Sequence, residues 1–199
     1  MRIIAGEFRG RNLLSPLGEQ TRPITDRVKQ SLFDIIADRI PGSRVYDCFA
    51  GTGSMGLESL SRGAEHVTFF EADRSTLARL SQNIMAVRVA EKTRIVPGDL
   101  FKWFERATTR PEDSAIVPVD LCFLDPPYRF LRERGDELIQ LVFHLTQGHL
   151  KPDSTVIFRH DARDRLELPN LNRFDEREYG GMTLEFHKPL SPGSSPGAK

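Results

Sequence analysis

Residues 47–56 of the chain read Asp-Cys-Phe-Ala-Gly-Thr-Gly-Ser-Met-Gly. They contain the pattern Gly-x-Gly-x-x-Gly, between a strand-like apolar run at 44–49 and a helical pattern at 54–62. Glycines at these positions let the backbone turn tightly and approach a ligand, and the amino terminus of the helix favours negative charge. The loop therefore predicts a site for a nucleotide-type cofactor, with contacts expected from Asp47, Phe49, Ala50, Gly51 and Gly53.

Short β-rich runs and helical stretches alternate after this loop, which is the pattern of a parallel sheet with crossover helices. We predict strands at 44–49, 66–71, 93–97, 119–124 and 154–160, and helices at 54–62, 74–88, 99–107 and 133–147. Two further strand-like runs, 173–179 and 182–188, are joined through Gly180-Gly181 and predict an antiparallel hairpin at the sheet edge. The predicted fold class is α/β, with a Rossmann-like, mostly parallel sheet.

The first forty residues lie outside this alternation. Two short runs, 2–5 and 12–14, flank a glycine-bounded turn and predict a small hairpin. Thr25 is the expected N-cap of a helix whose apolar positions recur at helical spacing until Pro41-Gly42. We therefore divide the chain into a hairpin-and-helix extension at 1–41, a cofactor-binding domain at 42–188 and a disordered, Pro-, Gly- and Ser-rich tail at 189–199.

Composition restricts the class of protein. Of 199 residues, 39% are hydrophobic and 28% are charged, which is typical of a soluble globular domain. No apolar run approaches the roughly 20 residues of a membrane span, and the amino terminus lacks a secretory pattern, so we expect a cytoplasmic monomer without a membrane partner. Cys48 and Cys122 form no Cys-x-x-Cys pair and the histidines have no metal spacing, so no metal site is predicted.

The formal net charge is zero, but the charges are unevenly distributed. Residues 1–30 hold six basic and three acidic side chains. A segment that faces nucleic-acid phosphates would show this asymmetry, and a solvated basic face fits the charge equally well.

Carboxylates follow each of the first three predicted strands. Glu71 comes 20 residues after Gly51, where it can accept hydrogen bonds from both hydroxyls of a ribose. The loop and Glu71 alone fit NAD as well as S-adenosylmethionine. Asp47 is poorly placed beside a pyrophosphate but well placed near the ammonium of a methionine moiety, and Asp99 can accept the adenine amino group. With Leu100 as a further contact, these acids favour S-adenosylmethionine, and an oxidoreductase remains the alternative.

The fourth predicted strand leads directly into Asp125-Pro126-Pro127-Tyr128. The exocyclic amine of a nucleobase is a poor nucleophile because its lone pair is delocalised into the ring. A carboxylate and a backbone carbonyl that accept its two N–H bonds favour a pyramidal nitrogen and direct the lone pair at a methyl donor. Asp125 and Pro126 can supply these acceptors, the consecutive prolines fix the backbone, and Tyr128 can stack on the base. We predict that this tetrapeptide is the catalytic motif of an amino-methyltransferase.

The chain resembles the RsmD-type family of methyltransferases, which modify a guanine N2 amine in small-subunit 16S ribosomal RNA. The resemblance rests on four stretches: 2–6 with Arg9-Gly10-Arg11, Thr21-Arg22-Pro23 with Asp26-Arg27-Val28, 47–64, and 123–128. It implies a seven-stranded methyltransferase fold, S-adenosylmethionine as donor, and ribosomal RNA in the small subunit or its assembly intermediate as substrate. It also implies that RNA phosphates are held by Arg9, Arg11, Arg22 and Arg27, a role that their charge permits.

Three alternatives stay open at this point. The tetrapeptide recognises an amine rather than the polymer that carries it, so adenine N6 in DNA or another RNA base fits the same chemistry. A cofactor-binding RNA chaperone without turnover would also use the basic amino terminus. Arg27 can pair with Asp26 or Asp34 on its own helix instead of a phosphate.

Overall fold

The structure is a computed structural model that describes residues 1–16, 24–109 and 117–190. Two predictions fall outside these residues: the phosphate contact of Arg22 and most of the tail at 189–199. The chain folds as two compact units, Met1–Leu100 and Phe101–Lys199. The division at residues 41 and 188 stays a prediction.

Seven strands form one sheet. They are β1 (Arg44–Cys48), β2 (His66–Glu71), β3 (Thr93–Pro97), β4 (Val119–Leu124), β5 (Leu150–Asp161), β6 (Leu171–Tyr179) and β7 (Met182–Pro189). Their order in the sheet is β3-β2-β1-β4-β5-β7-β6. The pairs β1–β2, β2–β3 and β4–β5 are parallel, whereas β7 pairs antiparallel with both β5 and β6. The predicted Rossmann-like fold class, with an antiparallel hairpin after five parallel strands, is confirmed.

Six α-helices accompany these strands in the described part of the chain. They are α1 (Asp26–Ile35), α2 (Ser54–Ser61), α3 (Arg74–Val87), α4 (Leu100–Thr109), α5 (Phe130–Glu133) and α6 (Gly135–Thr146). The predictions for α2 and α3 end within one residue of the observed helices. The predicted helix at 133–147 is instead divided into α5 and α6, because Arg134 leaves helical geometry at φ −137°, ψ 31°.

Side-chain caps fix the start of two helices in the first unit. The Thr25 hydroxyl accepts a hydrogen bond from the Val28 amide over 3.3 Å, which confirms the predicted N-cap of α1. The Asp73 carboxylate accepts the Thr76 amide over 2.8 Å at the start of α3. Hydrogen bonds from the Ser75 hydroxyl and this amide lower the pKa of Asp73 to about 2.

The amino-terminal extension contains the expected hairpin as a short antiparallel pairing around a bridge between Arg2 and Asn12. The Ile3 amide donates to the Arg11 carbonyl over 3.0 Å and the Leu13 amide donates to the Met1 carbonyl over 2.9 Å, and Gly6 of the turn lies against α2. A Cβ on Gly6 would lie 1.8 Å from the Ser61 carbonyl oxygen. The helix expected to continue to Pro41 ends at Ile35 and tightens into a 3-10 turn at Ala37–Arg39, which satisfies carbonyl groups ahead of the proline.

In the second unit, β5 begins four residues earlier than the predicted strand. Leu150 pairs with Val119, and the register then shifts so that Thr155 pairs with Leu121. Pro152 falls within this irregular stretch, and proline is tolerated in strands at such bulges. Because proline is uncommon within strands, the sequence pattern predicted that this strand begins only after Pro152.

Candidate active site

The loop after β1 turns on three residues with left-handed backbone geometry. Phe49, Gly51 and Gly53 have φ angles of 63°, 57° and 88°. The Ala50 amide donates to the Phe70 carbonyl over 2.9 Å, which ties the loop to β2. Positive φ is uncommon outside glycine, and residues held in this strained region cluster at ligand sites. The geometry of Phe49 therefore supports the prediction that the loop binds a ligand.

The three glycines of the pattern have different surroundings. A Cβ built on Gly51 meets nothing within 4 Å, so a ligand can approach the backbone there. A Cβ on Gly53 would lie 2.6 Å from Leu80, and one on Gly56 would lie 2.3 Å from the Phe69 ring. Gly51 is therefore suited to ligand approach, whereas Gly53 and Gly56 allow α2 to pack closely against its neighbours.

The Glu71 carboxylate is directed at the same loop. Its Oε2 accepts the Gly51 amide over 2.8 Å, and its Oε1 accepts the amides of Ala72 and Asp73 over 2.9 and 2.8 Å. Two carboxylate oxygens offer about four acceptor positions, so Oε2 retains capacity for a hydroxyl donor. Burial raises the pKa of Glu71 in spite of these three backbone donors.

Asp47 lies at the end of β1 with only 1% of its surface exposed. Its Oδ2 accepts the Gly56 amide over 2.8 Å and so satisfies one of the amides in the first turn of α2. Sequence reasoning assigned Asp47 to a ligand and missed this capping role, which accounts for an acid at a buried position. The contact with a methionine ammonium stays a prediction.

Asp99 and Leu100 lie where β3 leads into α4. The preceding Gly98 amide donates to the Glu71 carbonyl over 2.8 Å, which holds this turn beside the end of β2. Asp99 is exposed, whereas Leu100 is buried as the first residue of α4. Hydrogen bonds thus connect Gly51, Glu71 and this turn at one edge of the first unit.

The predicted catalytic tetrapeptide forms a turn after β4 in the second unit. Asp125 is part-buried and Pro126 is buried. The Phe130 amide donates to the Pro127 carbonyl over 2.8 Å, and this bond starts the turn into α5. Among the residues that the structure describes, no hydrogen bond uses the Pro126 carbonyl. The Pro126 carbonyl, directly after Asp125 in the chain, can therefore accept a further donor, and the catalytic role of the tetrapeptide stays a prediction.

Sequence reasoning missed the partner of Asp125. The Arg159 Nε donates to Asp125 Oδ1 over 2.6 Å, and the Arg159 guanidinium lies over the Tyr128 ring at 5.8 Å from its centre. Burial opposes the charged form of Arg159, but the field and hydrogen bond of Asp125 outweigh it and raise the pKa of this guanidinium. An arginine in the otherwise apolar run of β5 was the available signal, but the pattern did not give its partner.

The arginines expected to hold RNA are exposed wherever the structure describes them. Arg9 and Arg11 are exposed in the amino-terminal turn, and Arg27 is exposed on α1. Asp26 and Asp34, the alternative partners of Arg27, pair with Arg2 over 2.7 Å and Arg62 over 3.6 Å. A cavity of about 410 Å³ opens in this part of the first unit, and its lining includes Arg2, Arg9 and Gln30.

A buried acid fastens the amino-terminal segment to α2. The Glu58 side chain is fully buried, and it accepts the amides of Ile4 and Ala5 over 2.7 and 3.0 Å. Lys29 Nζ lies 3.2 Å from the same carboxylate. Burial lowers the pKa of Lys29, although Glu58 opposes this shift. Sequence reasoning missed this network, and the available signal was a single acid in a helix otherwise made of small and apolar residues.

The chain is similar in sequence to proteins that are already known. The family model described as Conserved hypothetical protein 95 matches residues 1–188. Ribosomal RNA small subunit methyltransferase D of Escherichia coli strain K12 is 37% identical over 197 residues, which cover 98% of this chain and 93% of that protein. The chain belongs to the RsmD-type family of methyltransferases.

Two further relatives agree with the RsmD-type assignment. The putative rRNA methyltransferase YlbH of Bacillus subtilis is 32% identical over 169 residues, covering 85% of this chain and 86% of that protein. The solved structure of the putative methyltransferase yhhF from Escherichia coli superposes with a TM-score of 0.79 at 30% identity, covering 95% of this chain and 97% of that one. The family expected from the sequence is confirmed, and the sheet has the methyltransferase form of the Rossmann-like fold.

The described residues contain neither a membrane-spanning helix nor a metal-binding cluster. None of the helices within 1–16, 24–109 and 117–190 has the length and apolar character needed to cross a membrane. The same ranges hold no group of three or more His, Cys, Asp or Glu side chains arranged to bind a metal ion.

Proposed function

We propose that this chain transfers a methyl group from S-adenosylmethionine to the exocyclic N2 amine of a guanine in small-subunit 16S ribosomal RNA. The observation that carries the proposal is the turn at 125–128, in which the part-buried Asp125 carboxylate precedes a Pro126 carbonyl to which no described residue donates a hydrogen bond. The names of the relatives support the methyl transfer and the ribosomal RNA substrate.

The residues of the first unit fit the methyl donor. No atom lies within 4 Å of a Cβ built on Gly51, so a ligand can approach the backbone there. Glu71 Oε2 has an acceptor position for a ribose hydroxyl. Asp99 stands exposed beside them for the adenine amino group. S-adenosylmethionine supplies a methyl group on a positively charged sulfur, which is an activated leaving group and needs no metal ion.

The residues of the second unit fit the acceptor amine. Asp125 and the Pro126 carbonyl accept its two N–H bonds, which withdraws the nitrogen lone pair from the ring and leaves it directed at the methyl carbon. Tyr128 stacks on the guanine after the base leaves its own stack. The nitrogen–methyl bond forms as the methyl–sulfur bond breaks, S-adenosylhomocysteine leaves as a neutral thioether, and the nitrogen gives its extra proton to Asp125 or to water. Catalysis then consists of orientation and of electrostatic stabilisation of the positive charge that develops on the nitrogen.

Exposed arginines of the amino-terminal segment support RNA as the polymer. Arg9 and Arg11 are exposed, and Arg27 is exposed on α1 while neighbouring acids pair with other arginines. These side chains are available to phosphates, which dominate the affinity of nucleic-acid binding.

Substitution of Asp125 tests the proposal. We expect Asp125→Ala to lower kcat for methyl transfer by roughly 10²-fold or more, the usual effect of removing one charge-stabilising group, while the Kd values for S-adenosylmethionine and RNA stay within about threefold. Asp120→Ala is the matched control, because Asp120 lies in β4, the strand that leads into Asp125, and pairs with Lys151.

Retention of methyl transfer by Asp125→Ala would contradict the proposed role of the tetrapeptide. Full biological effect of the variant in cells, without methyl transfer by the native protein, would favour the RNA chaperone. Binding of NAD in place of S-adenosylmethionine would favour an oxidoreductase.

A further inference from the structure

Arg159 contacts two members of the tetrapeptide at once. It follows Phe158 on β5, which pairs with Leu124 at the end of β4, so the register brings Arg159 beside Asp125. Its side chain is 9% exposed and that of Asp125 is 19% exposed. Its Nε donates to Asp125 Oδ1 over 2.6 Å, and its guanidinium covers the Tyr128 ring.

We propose that Arg159 is a positioning residue of this site: it holds the Asp125 carboxylate in the orientation that presents Oδ2 to the acceptor amine, and it fixes the plane of the Tyr128 ring. The inference rests on the proposed function, because it assigns a role within the same methylation site.

The torsion that rotates an aspartate carboxylate has a broad energy well, so an unrestrained carboxylate samples many orientations. A charge-assisted hydrogen bond to one oxygen removes this freedom, and it is stronger where water is largely excluded. Within the described residues, Asp125 Oδ2 has no hydrogen bond, so the oxygen that Arg159 leaves open is the one that can accept an amine N–H.

Contact with Tyr128 adds a second constraint. A guanidinium within about 6 Å of a ring centre is attracted to the ring face, and here the distance is 5.8 Å. Met182 supports the same guanidinium, since its sulfur lies 3.9 Å from Arg159 Nη1. One buried cation therefore determines the geometry of both the carboxylate and the stacking ring.

The test compares Arg159→Met and Arg159→Lys in the full chain, with kcat and KM measured for RNA and S-adenosylmethionine. Methionine keeps much of the length but removes the charge, whereas lysine keeps the charge without the planar fork. We expect kcat to fall roughly 10²-fold in Arg159→Met and less in Arg159→Lys, with both KM values within about threefold, because misplacement of a catalytic group acts on kcat.

Lys151→Met is the matched control, because Lys151 pairs with Asp120 over 2.7 Å and joins the same two strands near their amino ends. It should keep the native kcat. If Arg159→Met does not fold, Arg159→Gln replaces it, and the lysine variant should again be the more active of the two.

Native kcat in the neutral variant at position 159, alongside an inactive Asp125→Ala protein, would overturn the positioning role and leave the proposed function intact. Equal kcat in the neutral and lysine variants would also overturn it, because the charge would then be irrelevant. Native activity in Asp125→Ala itself would overturn the proposed function instead.

Discussion

At the scale of single residues, several acids of the first unit accept hydrogen bonds from backbone amides, in addition to any contact with a ligand. Glu71 accepts three amides, Asp47 accepts one in α2, and Glu58 accepts two from the amino-terminal segment. Replacement of such an acid alters the backbone and the site together. Conservative substitutions and matched glycine variants are therefore needed to separate the two effects.

Glu71 should make cofactor binding dependent on pH. Its pKa is raised from 4.5 by burial, and a side chain that accepts three amides and, as proposed, a ribose hydroxyl must be ionised to offer four acceptor positions. Affinity for S-adenosylmethionine should therefore be full above this raised pKa and should fall as pH decreases through it. Calorimetric titration of the native protein between pH 7 and pH 4 measures the effect.

The Glu71→Gln variant provides the control for this titration. It should bind S-adenosylmethionine roughly tenfold more weakly at neutral pH, as expected for loss of one charged hydrogen-bond acceptor, and it should lack the acid-dependent loss of affinity. An unchanged pH dependence in Glu71→Gln would assign the effect to another group.

Gly51 and Gly56 should separate ligand approach from packing. A methyl group on Gly51 enters open space, but the residue that carries it must adopt a φ of 57°, so Gly51→Ala should weaken S-adenosylmethionine binding and cost about 1 kcal/mol of stability from the backbone alone. A methyl group on Gly56 meets the Phe69 ring, so Gly56→Ala should lower the free energy of unfolding by about 1–3 kcal/mol. Urea denaturation and cofactor titration of both variants check this, and the reverse assignment of effects would contradict it.

At the scale of elements, α2 connects the cofactor loop with the amino-terminal segment. Glu58 of α2 accepts amides of that segment, and Lys29 of α1 donates to the Arg2 carbonyl over 2.6 Å and to the Ser54 hydroxyl over 3.3 Å. Ser54 is the first residue of α2. Helix α2 is therefore held, from its first turn to its last, by residues of the extension at 1–41, which lies outside the predicted cofactor-binding domain.

Lys29→Met should destabilise the protein, because it removes one of the two cations that neutralise the fully buried Glu58 carboxylate; the other, Arg62 Nε, stays 2.8 Å away. Breaking a buried ion pair typically costs about 3–5 kcal/mol, so the loss measured by urea denaturation should lie near or below the lower end of this range. The double variant with Glu58→Leu should lose more stability, because the Ile4 and Ala5 amides and Arg62 then lack the carboxylate. A loss below about 0.5 kcal/mol in Lys29→Met, the level of an ordinary surface substitution, would show that the pair contributes nothing.

The elements predicted well from sequence are those with a local signal. The loop at 47–56 and the alternation of strands and helices depend on glycines and periodicity over a few residues, and this local signal was enough to predict the fold and to single out the loop proposed to bind the cofactor. The Asp125–Arg159 pair joins residues 34 positions apart, and only the β4–β5 register brings them together. The contact of Gly6 with Ser61 likewise joins residues 55 positions apart and left no local signal.

At the scale of the whole molecule, a net charge of zero gives no general attraction to nucleic acid. RNA binding must then depend on local cations. We expect the Arg9→Ala/Arg11→Ala double variant to bind RNA more weakly and to reduce the slope of log K against log salt by about 1.4, or about 0.7 per phosphate contact. Filter binding over a range of salt concentrations measures this slope.

Lys92→Ala/Arg94→Ala is the control for charge, since both residues are exposed cations elsewhere in the first unit. It should leave the slope unchanged. An equal reduction in both double variants would mean that RNA contacts the protein through general charge rather than through the amino-terminal segment.

Mapping of the transferred methyl group tests the central claim most directly. The protein is incubated with labelled S-adenosylmethionine and, separately, with naked 16S ribosomal RNA, assembled small subunits and DNA, and the modified nucleoside is identified by mass spectrometry. The account predicts N2-methylguanine in ribosomal RNA from at least one of the two RNA substrates. Label in DNA alone, or on an adenine, would contradict it.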